Sequence, residues 1–527
     1  MTKLLITLSF IVLSFGLIYA QEPEILVDFD SSTIMFEEKE IPEVPGSIFD
    51  SQQRAFDAGV TGLAIDLSKN AALRMPIKLK EEYELSYGED DSYSVEVWVK
   101  TIPGAPQVTP IAGNKKNKNK EEVGWLIYAD EDGGWSVSIS DGQNQYDYRP
   151  TVQRQCINDG LWHQLGITVN RSKGEVWFYF DGVNVAIYNT PGLTGLKSKW
   201  RTTLGGTASN WDYFGQWEAF NGYIDNFRMW DTHVDANEFS KSYQAVFPNS
   251  KQTALETKQL RVFSWNIWHG GHRFGKQVGV QRVIETIKAT NADIVTLIET
   301  YGSGEIIADA LGYHFYLISS NLSIMSRFPI KETINAFRPF NFGGVVLKLD
   351  DQKEVAVFDT WLHYLPDYKG NIIKGEMTAK QLEKDEESTR LKEIKQILKE
   401  IKPWIANAEN VPVLMAGDFN TNSHLDWIEE TKEAHLGYVV KWPVTIEMDK
   451  TGFVDSYREI NPNPLTSPGY TGWPFTRRTG QRAVQSRIDY IFYKGSSLRA
   501  LESKVVDYHP VMFPSDHAGM FTVFQIK

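Results

Sequence analysis

Between about residues 45 and 245, apolar and polar residues alternate in short runs separated by turn residues. In Ser94-Val95-Glu96-Val97-Trp98-Val99-Lys100 the three valines fall on one face of an extended segment. Residues 135–139 and 174–182 repeat the pattern, and the second run closes on an Asp181-Gly182 turn signal. Many strands at this spacing predict an all-β sandwich or barrel. After Leu260 the grammar changes, and mostly apolar strands such as 262–265 and 294–298 alternate with helical stretches. A short helix is predicted over 282–290. A longer one is predicted over 383–405, with Leu391, Ile394, Leu398 and Ile401 inward and its Lys and Glu residues as a solvated face. Alternation of this kind is α/β or α+β organisation. Residues 248–258 are polar and aperiodic and read as a linker, and the Lys/Asn-rich run 114–122 reads as a solvated hairpin loop.

A chain of 527 residues exceeds what one core normally organises, which agrees with two domains. The N-terminus reads as an export signal over 1–20, with Lys3, an apolar run over 4–17, and Ala20 before a polar Gln21. No other stretch is long and apolar enough to span a bilayer, so the mature protein is expected outside the cytoplasm, secreted or periplasmic. Cys156 is the sole cysteine, which excludes an intramolecular disulfide and fits a small packed residue. The net charge of −13 lies almost entirely before residue 257, and neither half carries a clear basic stripe. That balance counts against long polyanionic partners such as nucleic acid. Arg477, Arg478 and Arg482 form the one local basic cluster near the motifs described next.

Those motifs recur at strand ends of the C-terminal half. One strand leads to Asn266, the next to Glu299, a third through Asp359 to His363, and a fourth to Gly417-Asp418-Phe419-Asn420. Asp489 stands ahead of a fifth, and Ser515-Asp516-His517 ahead of a sixth. A carboxylate after a strand is ordinarily a turn or cap residue. Six such sites on strands of one sheet sandwich can instead converge on one edge. Carboxylate, amide and imidazole groups without sulfur suit Mg²⁺ or Mn²⁺ rather than structural zinc.

Two resemblances follow from these residues. The elements Asp159-Gly160-Leu161-Trp162-His163, the strand ending at Gly182, and Phe220-Asn221-Gly222-Tyr223-Ile224-Asp225 resemble the laminin-G/concanavalin A-like jelly roll over 45–247. The ordered set from Asn266 to His517 resembles the endonuclease/exonuclease/phosphatase superfamily over 259–527, whose fold is a four-layered α/β sandwich of two mixed sheets. The second resemblance implies a metal held by Glu299, Asn266 and Asp516. It also implies an attacking water oriented or deprotonated by Asp418, and phosphoryl contacts from Asn420, His517 and His363. Asp489 would set the tautomer of His517. His269, Asn422 and His424 are further candidates for substrate contact. The loop 364–377 is a lid or a surface loop, and one or two of Trp427, Trp442 and Trp473 are expected to line the pocket.

The expected function is hydrolysis of a phosphate ester, small or glycan-linked, with the jelly roll attaching the enzyme to a glycan or surface. The alternatives are an extracellular nuclease, a sphingomyelinase-like enzyme, and an adhesin whose C-terminal half no longer catalyses.

Overall fold

The computed structural model describes residues 23, 25–27, 33–36, 39–42, 56–68, 77–78, 90–104, 108–206, 220–250, 258–472, 474 and 485–527. The expected export signal, most of the linker, Trp473 and the three arginines 477, 478 and 482 lie outside them.

In the N-terminal half two sheets enclose a core. Tyr93–Thr101, His163–Asn170, Glu175–Phe180 and Gly222–Trp230 form part of one sheet, and Thr109–Gly113, Gly124–Ala129 and Trp135–Ser140 form part of the other. Val95, Val97 and Val99 point inward with Trp125, Ile127 and Val137. The opposite face of the same strand, polar or aromatic by sequence, is also buried. Helix Ala236–Val246 covers it, stacking Tyr243 on Trp98 at 5.7 Å and donating from Ser242 to the Glu96 carboxylate at 2.7 Å. His163 begins its strand as expected, with its ring between Asp181 (2.9 Å) and Asp159 (3.1 Å). The solvated-loop reading of 114–122 fails at its start, where Asn114 and Lys115 are buried. The Asn114 side-chain oxygen accepts the Trp125 N–H, and the Lys115 ammonium donates to Ser138, so their polar ends are satisfied inside.

In the C-terminal half two sheets lie face to face. Gln259–Asn266, Ile294–Ile298, Leu322–Ser326 and Gly519–Ile526 pack through Val262, Ile294 and Ile324 onto Phe342–Lys348, Glu354–Trp361, Val413–Asp418 and Asp489–Lys494. Helices Lys276–Thr290 and Gly304–Leu311 cover the first sheet, and Arg390–Glu400 and Pro443–Lys450 cover the second, giving four layers. Strands buried on both faces explain the unbroken apolar runs in the sequence. The helix predicted over 383–405 is broken into Ala379–Ser388, Arg390–Glu400 and Lys402–Ala406. At the first break the Thr389 hydroxyl bonds the Asp385 carbonyl (3.0 Å), and Arg390 turns inward to the carbonyls of Tyr364 (2.6 Å) and Pro366 (3.0 Å). Periodicity alone could not show that an arginine belongs inside.

The two halves share one sheet. Val183–Asn189 of the β-sandwich pairs in parallel with His314–Leu317 of the C-terminal half, so sixteen described strands form a continuous sheet. Asp309 on helix Gly304–Leu311 is buried and accepts from Gln155 (2.8 Å), Arg154 (3.3 Å) and Thr151 of the sandwich. At the seam the half-buried His314 ring donates through Nδ1 to the Asn184 carbonyl at 2.7 Å. Burial, aided by the Arg154 cation, outweighs that bond and pushes the His314 pKa down to about 4. Below its ordinary value of 6.5 the unfolded chain takes up a proton that the folded chain refuses. This contribution is therefore complete above about pH 6.5 and is lost as the pH falls toward 4, at most roughly 3 kcal/mol. The fall in melting temperature between pH 7 and pH 4.5 is expected to be smaller in His314→Gln than in the wild-type chain.

Candidate active site

Strand pairing does most of the assembly. Asn266 ends a strand that runs parallel to the one delivering Glu299, and Asp418 lies directly opposite Asp489 across an antiparallel pair. The parallel pair sets Asn266 within 3.3 Å of the Glu299 carboxylate, and face-to-face packing of the two sheets brings it within 3.3 Å of the Asp418 carboxylate. Gly417 is required by this crowding, because a Cβ there would meet the Thr360 carbonyl oxygen at 2.0 Å. Among the described residues, five of the ten non-glycine positions with positive φ are in this region: Trp268, His269, Glu299, Tyr301 and Asn420. Backbone held in that conformation at several neighbouring positions is characteristic of functional sites.

Glu299 is fixed from both sides. Its N–H donates to Asn321 Oδ1 (3.2 Å), and its carboxylate accepts the His269 N–H (2.8 Å) and the Asn266 amide (3.3 Å). Gly270 and Gly271, both with positive φ, let the His269 loop turn back against the strand end, and Gly270 N–H bonds the Glu299 carbonyl. Asp418 accepts from the backbone and side chain of Asn420 (2.9 and 3.1 Å) and from Asn266 (3.3 Å). His517 directs Nδ1 to both oxygens of Asp489 (3.0 and 3.2 Å), as expected for a pair in which the carboxylate sets the tautomer.

The charges are coupled. Burial, reinforced by Asp489 and opposed by His517, raises the Asp418 pKa to about 7. Burial alone would lower the His517 pKa, but Asp489 and Asp418 outweigh it and hold the imidazole well above its ordinary value. Asp516 is also raised, by burial and by the negative charges of Glu299 and Asp489. One oxygen of Asp516 is buried with no hydrogen-bond partner among the described residues. An undonated buried carboxylate oxygen that feels a second carboxylate is a condition a hard divalent cation relieves. Glu299 and Asp516 therefore fit such an ion. Asp418, Asp489 and His517 also present ligand-type atoms within 4.8 Å of one another. The His517–Asp489 bond, however, gives that trio the form of a proton-handling group.

The other expected site residues have these surroundings. Asn266 turns its amide nitrogen toward the two carboxylates, bridging them, while its oxygen accepts the Trp268 N–H (3.0 Å). Both amide hydrogens of Asn420 are engaged here, on Asp418 and on the Leu362 carbonyl (2.9 Å), so it orients Asp418. His363 is exposed beside this cluster, stacked on Tyr364, with Nδ1 accepting the Leu365 N–H. His424 is turned away, its ring held by Thr445 (2.8 Å) and Asp449 (3.0 Å). Asn422 is buried, and its side-chain oxygen has no hydrogen-bond partner among the described residues. Trp427 and Trp442 pack in a satellite core with Tyr368 and Ile372, which pins the 364–377 segment to the body as a short helix, Tyr368–Lys374.

Some supporting residues carried no signal in the sequence. Asn321 holds the Glu299 backbone, and the Thr471 hydroxyl accepts the N–H groups of Ile488 and Asp489. Asp426, between the buried arginines 458 and 487, fixes the segment leading into Asp489. Only Arg487 was discoverable, from its place two residues before Asp489.

The profile of the Endonuclease/Exonuclease/phosphatase family matches residues 263–517, and that of the Concanavalin A-like lectin/glucanases superfamily matches residues 79–240. The C-terminal half thus matches the first family, whose fold is that of metal-dependent phosphoesterases, and the N-terminal half matches the second. An uncharacterized protein of Caenorhabditis elegans is 29% identical over 301 residues, which cover 52% of this chain and 93% of that protein. Similar solved structures include truncated TDP2 of the same organism, with 17% identity, 51% of this chain and 97% of that one covered, and a TM-score of 0.36. An AP endonuclease from Archaeoglobus fulgidus matches at 15% identity, 51% and 100% coverage and a TM-score of 0.36. The human Nocturnin catalytic domain with bound sulfate matches at 17%, 52% and 96%, and 0.35. Among the described residues no helix is long and apolar enough to cross a membrane.

Proposed function

We propose that the chain is an exported, Mg²⁺- or Mn²⁺-dependent hydrolase of phosphate esters, small or glycan-linked, that acts by direct attack of water. The observation that carries this reading is the convergence of Glu299 and Asp516 with the Asp418–Asp489–His517 group at one edge of the paired sheets. Glu299 and Asp516 would hold the divalent ion, which would supply charge stabilisation for the phosphoryl and leaving oxygens. Asp418, oriented by Asn266 and Asn420 and raised to about 7, takes the proton of the attacking water. His517, charged and braced through Nδ1 by Asp489, presents Nε2 to the phosphate. His363, exposed next to Trp361 and Tyr364, is assigned to the leaving side of the phosphoryl group.

Purified mature chain is expected to hydrolyse bis-p-nitrophenyl phosphate or p-nitrophenyl phosphate with Mg²⁺ or Mn²⁺. EDTA and Glu299→Ala should abolish this, and duplex DNA should remain intact. Efficient DNA cleavage would move the reading to a nuclease, and silence on all three substrates would oppose catalysis. Metal binding has its own readout. At about 100 times Kd the ion is expected to stabilise the wild-type chain by about 2.7 kcal/mol, and to stabilise Asp516→Asn much less.

A further inference from the structure

A cleft of about 610 Å³ opens where the β-sandwich meets helices Lys276–Thr290 and Gly304–Leu311. One wall belongs to the sandwich, through Thr151 and Gln153, and the other to the catalytic half. The cleft shares a boundary with the candidate active site. Tyr301 lines it, lies two residues past Glu299, and stacks on His269 at 5.8 Å. The His269 N–H in turn holds the Glu299 carboxylate.

The lining has a definite chemistry. Val280, Ile284 and Ile306 make an apolar floor, and Gln153, Gln277 and Gln281 stand around it. Each glutamine amide carries donors and an acceptor, the combination that hydroxyl groups require, although Gln281 already donates one N–H to Glu285 (3.0 Å). Lys276 lines the cleft, and no carboxylate does among its described lining residues. That balance admits neutral or anionic groups and disfavours cationic ones. Tyr301 is the one phenyl or indole ring there, too few for the aromatic cage that recognises a quaternary ammonium. The two walls are held in register, because Arg154 and Gln155, beside Gln153, bond Asp309 on the helix that carries Ile306.

We propose that this cleft binds the hydroxyl-rich part of the substrate, a sugar or polyol phosphate ester, so that the β-sandwich completes the substrate site of the catalytic half. The proposal rests on the phosphoesterase reading and narrows it. It also gives the sandwich a part in specificity, distinct from tethering the enzyme to a surface.

The test uses the full mature chain and three chromogenic diesters: bis-p-nitrophenyl phosphate, p-nitrophenylphosphorylcholine and the p-nitrophenyl ester of glucose 6-phosphate. The wild-type chain is expected to prefer the sugar ester over the choline ester at least tenfold in kcat/KM. The double variant Gln153→Ala/Gln277→Ala should lose about tenfold of that preference, mostly through KM for the sugar ester. A choline preference, or a ratio unchanged in the variant, would overturn the proposal. If the wild-type chain turns over none of the three, nor p-nitrophenyl phosphate, the phosphoesterase reading has failed, and binding of glucose 6-phosphate by calorimetry decides the cleft alone. A Kd about tenfold weaker in the variant supports it, while an equal Kd or no binding overturns it.

Discussion

Asp418→Asn is expected to lower kcat by roughly a thousandfold, within the range general-base catalysis contributes, while the chain remains folded. The substitution preserves shape and leaves an oxygen for the Asn420 N–H, while the Asn266 and Asn420 side-chain amides, which would face the new NH2, must turn to other acceptors. It removes the proton acceptor next to the attacking position. It also removes a buried negative charge that faces a second carboxylate across the strand pair. Thermal stability should therefore be unchanged or higher, since a carboxyl whose pKa the fold raises costs folding free energy when it is ionised, even beside His517. The measurements are steady-state turnover of bis-p-nitrophenyl phosphate and thermal denaturation of the same preparation. Near-wild-type kcat would exclude Asp418 as the base. A large loss of stability would show that its charge holds the site together.

Asp426→Ala is expected to destabilise the chain by about 3–5 kcal/mol, the usual result of removing one member of a buried ionic group. Asp426 accepts from Arg458 Nε at 2.5 Å and Arg487 Nε at 2.9 Å, and both arginines are buried. Asp455 meets Arg487 at 2.8 Å, so the variant would leave two buried cations with one carboxylate between them. Because Arg487 stands two residues before Asp489, the loss should also loosen the His517–Asp489 pair. Urea unfolding reads the first effect, and kcat of the folded fraction the second. A shift below 1 kcal/mol would mean that water or a rearranged partner replaces the carboxylate.

Much of this organisation was legible in the chain. Strand alternation at Val95, Val97 and Val99 and the apolar runs ending at Asn266, Glu299 and Asp418 depend only on neighbouring residues and the two-residue strand period. They marked the two classes of fold and the residues that meet at the sheet edge. Roles were harder to read, because a role depends on where each polar hydrogen goes. Asn420 and Asn266 occupy the expected places, yet their amides serve Asp418 and Glu299. His424, two residues from Asn422, is diverted by Thr445 and Asp449, partners supplied by a later helix and invisible in its local sequence.

Local pattern thus determined the elements, the order of the chemical groups and the family they resemble, since these follow from short-range sterics and side-chain periodicity. Tertiary packing alone decided that helix Ala236–Val246 buries the polar face of Tyr93–Thr101, that Arg390 interrupts a helix, and that Val183–Asn189 joins the two halves in one sheet. Each of these depends on groups far apart in the chain meeting across an interface, where burial, charge and hydrogen-bond satisfaction are settled together.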